Sequence, residues 1–215
     1  RDQPRSRGLG DVYKRQEMLG EEYAAFYASY DLPKYQALRI NPLKTERDTF
    51  LLQAPFSLNR VPWTTNGYYY SGNDQPGRHP YHEAGVYYIQ EPSAMAPAEY
   101  LMAEPGERIL DLCAAPGGKS SQIACSMQGE GLIVCNEIHP ARAKILSENI
   151  ERMGVCNALV TNETPQKLSD NFREYFDRIL VDAPCSGEGM FRKNDAEREW
   201  SIEHVKSCAA RQLLI

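Results

Sequence analysis

Beyond residue 90, apolar positions follow two alternating rhythms. Runs at 108–112, Leu132–Asn136, Ala158–Thr161 and 178–182 have strand length, whereas 93–102, 120–127 and 141–153 carry apolar residues at helical spacing. In the last of these, Leu146, Ile150 and Met153 share one face and Gly154 follows as a stop. Strands alternating with helices predict a parallel sheet covered on both faces, an α/β domain over 91–215.

Before residue 91 the rhythm is weaker. Leu19, Tyr23, Phe26 and Tyr27 fall at helical spacing, which predicts a helix over 18–30 with these side chains in a core. Residues 38–45 read as a short strand and turn, because Pro42 limits helix there. Strand-like runs at 59–63 and 67–71 are followed by the turn signals Gly72-Asn73 and Gln75-Pro76-Gly77. Together these pieces predict a small α+β accessory region over 17–90. Residues 1–16 show no period and mix five basic residues with Gly and Pro. That run resembles a translated cloning adapter and is expected to stand outside the fold.

Composition sets the outer limits. The chain has 215 residues, enough for one domain and an appendage, and its 42% hydrophobic and 25% charged content is that of globular proteins rather than disordered ones. No run approaches the roughly 20 apolar residues of a membrane helix, and no signal-peptide core opens the chain. A soluble cytoplasmic protein without a membrane partner is expected. The six cysteines form no C-x-x-C pair, and only His79 and His82 lie close together, so neither a disulfide framework nor a metal site is expected. Net charge is −5, and −8 once the first sixteen residues, with five basic and two acidic side chains, are set aside. So acidic a chain meets a polyanion only through a local groove or a basic region elsewhere.

The sharpest local pattern is Asp111-Leu112-Cys113-Ala114-Ala115-Pro116-Gly117-Gly118-Lys119-Ser120, the turn after the first strand of the α/β domain. A phosphate-cradling P-loop needs glycine where Cys113 stands, and Ala115-Pro116-Gly117 lacks the first glycines of a dinucleotide fingerprint. What remains is a small-residue loop that brings backbone close to a ligand, with helix amides beyond it suited to a carboxylate. Glu137 ends the next strand about 20 residues later, where doubly wound folds place the acid that accepts ribose hydroxyls. A second turn, Asp182-Ala183-Pro184-Cys185-Ser186-Gly187, again joins an acid to small residues at a strand end. Ligands of open parallel sheets sit at the carboxyl ends of strands, so Asp182 and Cys185 are expected near the first turn. Cys185 there suits a chemical role, or fills the turn as a small buried residue. Cys113, Cys125, Cys135, Cys156 and Cys208 sit among apolar neighbours and read as core or chemically neutral.

The two turns, in this order, resemble the signature of the Nop/Sun family of RNA cytosine-5 methyltransferases. Gly187-Glu188-Gly189-Met190-Phe191-Arg192-Lys193 resembles the bacterial branch that acts on small-subunit ribosomal RNA. The likeness extends to Arg39-Ile40-Asn41-Pro42-Leu43-Lys44 and Tyr88-Ile89-Gln90-Glu91-Pro92-Ser93-Ala94-Met95. It implies an incomplete Rossmann-like methyltransferase fold, S-adenosyl-L-methionine as cofactor and RNA, 16S ribosomal RNA, as partner. It further implies that Cys113, Ala114, Ala115, Pro116, Gly117, Gly118 and Lys119 wrap the methionine part of the cofactor. Glu137 would hold the ribose with Arg142 close by, and Asp182 would sit between cofactor and cytosine. Many relatives carry an aspartate against adenine where this chain has Thr161-Asn162-Glu163-Thr164, which leaves Thr164 at that position.

The implied reaction gives cysteine its purpose, since C5 of cytosine takes a methyl group only after a thiolate adds at C6. In DNA cytosine-5 methyltransferases the Pro-Cys cysteine attacks. In the Nop/Sun family a later Thr-Cys pair attacks and the Pro-Cys cysteine, here Cys185, helps release product. No Thr-Cys pair occurs in these residues. The expectation is therefore a chain cut before its nucleophile, with strand 178–182 at an open, aggregation-prone edge. An unpaired or flipped base is the expected target. Arg39, Lys44, Arg192 and Lys193 are candidates for phosphate contacts, or ordinary surface charges. Two other functions stay open: a non-catalytic RNA-binding or assembly protein with a relic cofactor pocket, and a DNA cytosine-5 methyltransferase attacking through Cys185.

Overall fold

The structure, a computed structural model, describes residues 9–187 and 201–215. Contacts gather it into two compact units, one of Arg1–Lys34 with Ala183–Ile215 and one of Tyr35–Asp182. In the first, α1 (Leu9–Leu19) and α2 (Tyr23–Ala28) are separated by a 3-10 turn at Gly20–Glu22, so the expected single helix is broken where Gly20 takes a φ of +52°. Moreover, α1 begins inside the run expected to stand outside the fold. None of the four residues expected in a core is buried: Leu19, Tyr23 and Phe26 are half-buried and Tyr27 is exposed. Their rings pack along the chain instead, Tyr23 on Tyr27 at 5.9 Å and Phe26 edge-on to Tyr30 at 5.3 Å.

The second unit opens with an antiparallel sheet of β1 (Ala37–Ile40), β2 (Asn59–Arg60), β3 (Gly67–Tyr69) and β4 (Tyr87–Ile89), in the order β2-β3-β1-β4. Two short helices join it, α3 (Arg47–Gln53) and α4 (Pro80–Glu83). Leu38, Ile40, Phe50, Tyr68 and Tyr87 form its core. Strand β1 is buried at every position, Arg39 included. The expected phosphate contact at Arg39 is therefore corrected. Arg39 is 1% exposed and bonded inside the unit, and the Lys44 ammonium donates to the carbonyls of Ala84 and Arg152, both at 2.7 Å.

The parallel sheet follows in the same unit: β5 (Arg108–Asp111), β6 (Leu132–Asn136), β7 (Ala158–Thr161) and β8 (Arg178–Leu180), in the order β7-β6-β5-β8. The expected strands thus form, the first and last ending one and two residues early because their final residues turn into loops. Its helices are α5 (Ala96–Leu101), α6 (Gly118–Met127), α7 (Pro140–Met153) and α8 (Pro165–Asn171). Leu146, Ile150 and Met153 of α7 are buried as their spacing predicts, and Gly154 caps the helix with a φ of +73°. Ile109, Ile123, Met127, Ile133 and Leu146, all 0% exposed, centre the core, each contributing about 1.5–3 kcal/mol. The expected division at residue 90 falls inside this unit, which holds both sheets.

The rest of the first unit ends in α9 (Ile202–Gln212), whose cap Ser201 accepts from the His204 amide at 3.1 Å. Arg192 and Lys193, with the rest of motif 188–193, lie outside the described residues. No helix among the described residues is long and apolar enough to cross a membrane.

Candidate cofactor site

Parallel register sets Asp111 of β5 level with Cys135 of β6 and Leu180 of β8, and Cys135 level with Val160 of β7. The chain therefore leaves all four strands along one edge of the sheet, where the acids expected from the sequence collect. Asp111 is 1% exposed; its Oδ2 accepts from Ser120 Oγ at 2.7 Å while its Oδ1 has no partner among the described residues. Burial pushes its carboxyl up to about 6, against the hydrogen bond from Ser120 and the charge of Lys119. Lys119 Nζ reaches across to Asp182 Oδ2 at 2.6 Å, so the structure joins the first turn to the fourth strand end.

Glu137 is 3% exposed and anchored through both oxygens: Oε1 accepts from the His139 amide at 2.9 Å, and Oε2 lies 3.1 Å from Arg142 Nη1. The other terminal nitrogen of Arg142 donates to the Ala115 carbonyl at 2.9 Å, so one guanidinium ties the second strand's acid to the first loop. A carboxylate with two such bonds keeps lone pairs free for hydroxyl donors.

Several residues that the sequence reading missed build this edge. Asn136 Nδ2 donates to the carbonyls of Leu112 and Glu163, at 3.2 and 3.0 Å, while its Oδ1 accepts from Thr161 Oγ1 at 2.8 Å and the Glu163 amide at 3.0 Å. Asn162 holds the Glu137 carbonyl at 2.6 Å, and Asn149 holds that of Pro116 at 2.8 Å. The available signal was an asparagine closing the otherwise apolar Leu-Ile-Val-Cys-Asn run of β6.

The loop's small residues have close protein neighbours. A Cβ on Gly117, whose φ is +108°, would lie 3.2 Å from Leu146 Cδ1, and one on Gly118 would lie 3.2 Å from Tyr88 Cε1. Ala114 and Ala115 are buried, Cys113 is half-buried and Pro116 is exposed. Burial and the nearby acids push the Cys113 thiol up, away from reactivity. Thr164 caps α8, its hydroxyl accepting from the Lys167 amide at 3.4 Å. Of the cysteines read as core or neutral, Cys125, Cys135 and Cys208 are buried and Cys156 is exposed, since it stands in the turn after α7. Cys185 belongs to the other unit, where it is exposed and borders a cavity of about 300 Å³ with Lys14, Val205, Cys208 and Gln212.

Residues 98–215 match the family model described as 16S rRNA methyltransferase RsmB/F, and residues 12–92 match that of the N-terminal domain of 16S rRNA methyltransferase RsmF. The Ribosomal RNA small subunit methyltransferase F of Erwinia tasmaniensis is 38% identical over 213 residues, covering 94% of this chain and 45% of the relative. The chain thus spans less than half the length of the curated relatives it matches. A methyltransferase homolog protein from Pyrococcus horikoshii superposes with a TM-score of 0.78 at 27% identity, covering 94% of this chain and 70% of that one. NSun6 from the same organism, crystallised with SFG, also gives 0.78, at 19% identity over 94% of this chain and 76% of that one, a likeness of fold alone. The parallel sheet is the expected Rossmann-like methyltransferase fold, and the accessory sheet lies where the N-terminal family domain matches. By its motifs, its fold and the match across more than half its length, this chain belongs to the 16S rRNA methyltransferase RsmB/F family.

Proposed function

We propose that this chain supplies the cofactor-binding part of an S-adenosylmethionine-dependent enzyme that methylates C5 of cytosine in 16S ribosomal RNA, in the cytoplasm where ribosomal RNA is met. The observation that carries this reading is the meeting of Asp111, the 113–119 loop, Glu137 and Asp182 at the carboxyl edge of one parallel sheet, in a member of this family. The residues fit the cofactor: Asp111 keeps a buried oxygen without a partner among the described residues, and Glu137 offers an anchored carboxylate to a pair of ribose hydroxyls. When bound, S-adenosylmethionine supplies an electrophilic methyl group on a sulfonium.

The chain's own residues bind and orient. Cys113, Ala114, Ala115, Pro116, Gly117, Gly118 and Lys119 take the methionine part, and Arg142 keeps Glu137 facing the ribose. Thr164 stands where the adenine edge is expected. Lys119 holds Asp182 between the cofactor and the base. Cys185 acts in product release, and the attacking thiol belongs to a Thr-Cys pair that these 215 residues do not contain. The RNA presents an unpaired or flipped cytosine.

Calorimetric titration of the 215-residue chain with S-adenosylmethionine tests the reading. Glu137→Ala is expected to weaken binding at least about 10-fold, near 1.4 kcal/mol, while Cys185→Ser leaves it unchanged. The chain is expected to transfer no methyl group to RNA. A cooperatively folded chain that binds no cofactor would overturn the proposal.

A further inference from the structure

Three carbonyls along the cofactor loop and the start of α6 are held by side chains from outside the loop. Arg142 takes Ala115 O at 2.9 Å, Asn149 takes Pro116 O at 2.8 Å and Arg39 takes Gly118 O at 3.2 Å. Two of these holds lead back to the accessory sheet. Arg39 belongs to β1 itself. Asn149 Oδ1 accepts from Arg152 at 3.0 Å, and the same guanidinium donates at 2.7 Å to the carbonyl of His82 in α4.

Arg39 makes the case sharper. It is 1% exposed, yet its partners among the described residues are neutral: Ser121 Oγ at 2.8 Å, Gln90 Oε1 at 3.1 Å, the Gly118 carbonyl, Cys125 Sγ at 3.7 Å, and the face of Tyr88 at 5.9 Å. Burying a guanidinium without a counter-ion is costly, and an apolar side chain would fill the space more cheaply. What an apolar side chain lacks is the rigid fork of donors, which here grips the first turn of α6 at Gly118 and Ser121. A loop fixed before its ligand arrives spends less binding free energy on ordering.

We propose that Arg39 and Asn149 are positioning residues for the cofactor, through which the accessory sheet sets the carbonyls on either side of Gly117 and so the shape of the binding loop. This rests on the S-adenosylmethionine reading for its ligand, but not for its geometry. The test pairs cofactor titration with amide hydrogen exchange of residues 113–121 in the unliganded chain and with a thermal melt. Asn149→Asp keeps the shape of the side chain and removes the donor; Arg39→Lys keeps the charge and removes the fork. Each is expected to weaken S-adenosylmethionine binding about 10-fold, as loss of one well-placed hydrogen bond does, and to speed exchange in the loop at an unchanged melting temperature.

Wild-type affinity or wild-type exchange in Asn149→Asp overturns the proposal, as does a loss of affinity fully matched by a lowered melting temperature. Should Arg39→Lys fail to fold, Asn149→Asp decides. If the wild-type chain binds no S-adenosylmethionine, the cofactor reading falls and the exchange data alone decide, with faster loop exchange in the variant upholding the positioning role.

Discussion

Asp111 and Glu137 are both buried at the site, but Glu137 has partners on both oxygens while Asp111 Oδ1 has none among the described residues. The Asp111 carboxyl is pushed up to about 6, above the usual carboxylate range, because burial leaves the charged form poorly solvated, against the hydrogen bond from Ser120 and the charge of Lys119. An acid raised in the folded state stabilises the fold while protonated. That contribution is complete below about pH 4 and is lost as the pH rises through about 6. Asp111→Asn is therefore expected to flatten this loss, worth about 3 kcal/mol between pH 4 and pH 7, as seen in urea unfolding at the two pH values. A wild-type chain equally stable at both would refute this. Asp111 was legible as a strand-end acid, since the run before it is apolar. Arg39 was not: its motif offers no acid, and a cation beside a proline turn looks like a surface group until the strand that carries it proves buried at every position.

Helix α7 shows how one element serves two ends. It starts at Pro140, three residues past Glu137, and carries Arg142 on its first turn to hold that acid. At its other end Asn41 Nδ2 donates to Met153 O and Lys44 Nζ to Arg152 O, each at 2.7 Å. Last-turn carbonyls have no partner within a helix, and a cation there complements the helix dipole. Lys44→Ala is expected to cost about 1 kcal/mol in urea unfolding. Asn41→Ala should cost more, because the side chain also holds Gly85 O at 2.8 Å and is fully buried. A neutral Asn41→Ala would show that the clamp adds no stability. Helices α6 and α7 and strands β5 and β6 were legible because each buries several apolar residues, whereas β7 and β8 bury none and were legible as short apolar runs of strand length. By contrast α3 and α8 bury one residue apiece, Phe50 and Leu168, and α4 none, so their sequences carry no period to read. The aromatic spacing of the first segment was real, but its rings pack on one another and none is buried.

Across the whole molecule, the parallel sheet has β8 at one margin, paired only with β5 among the described residues. Ile179 on it and Val181 just past its end are 53% and 50% exposed, the combination that invites strand addition. Val181→Lys is expected to reduce self-association in light scattering relative to the wild-type chain, and an unchanged signal would locate the sticky surface elsewhere. The two family matches meet near residue 90, where the sequence divides the chain, yet contacts keep both sheets in one unit, and some of those contacts are polar and distant in sequence. Arg39 meets Gly118 across 79 positions, and Asn41 meets Met153 across 112. Such closures are late events, because chain entropy must be overcome before they return anything. Until the first has formed, the loop that follows β5 lacks its hold from β1 at Gly118, however well its neighbouring helix and strand have grown. On the proposed reading, affinity for the cofactor then becomes a gauge of finished folding, weakened in any intermediate that has made only its local contacts.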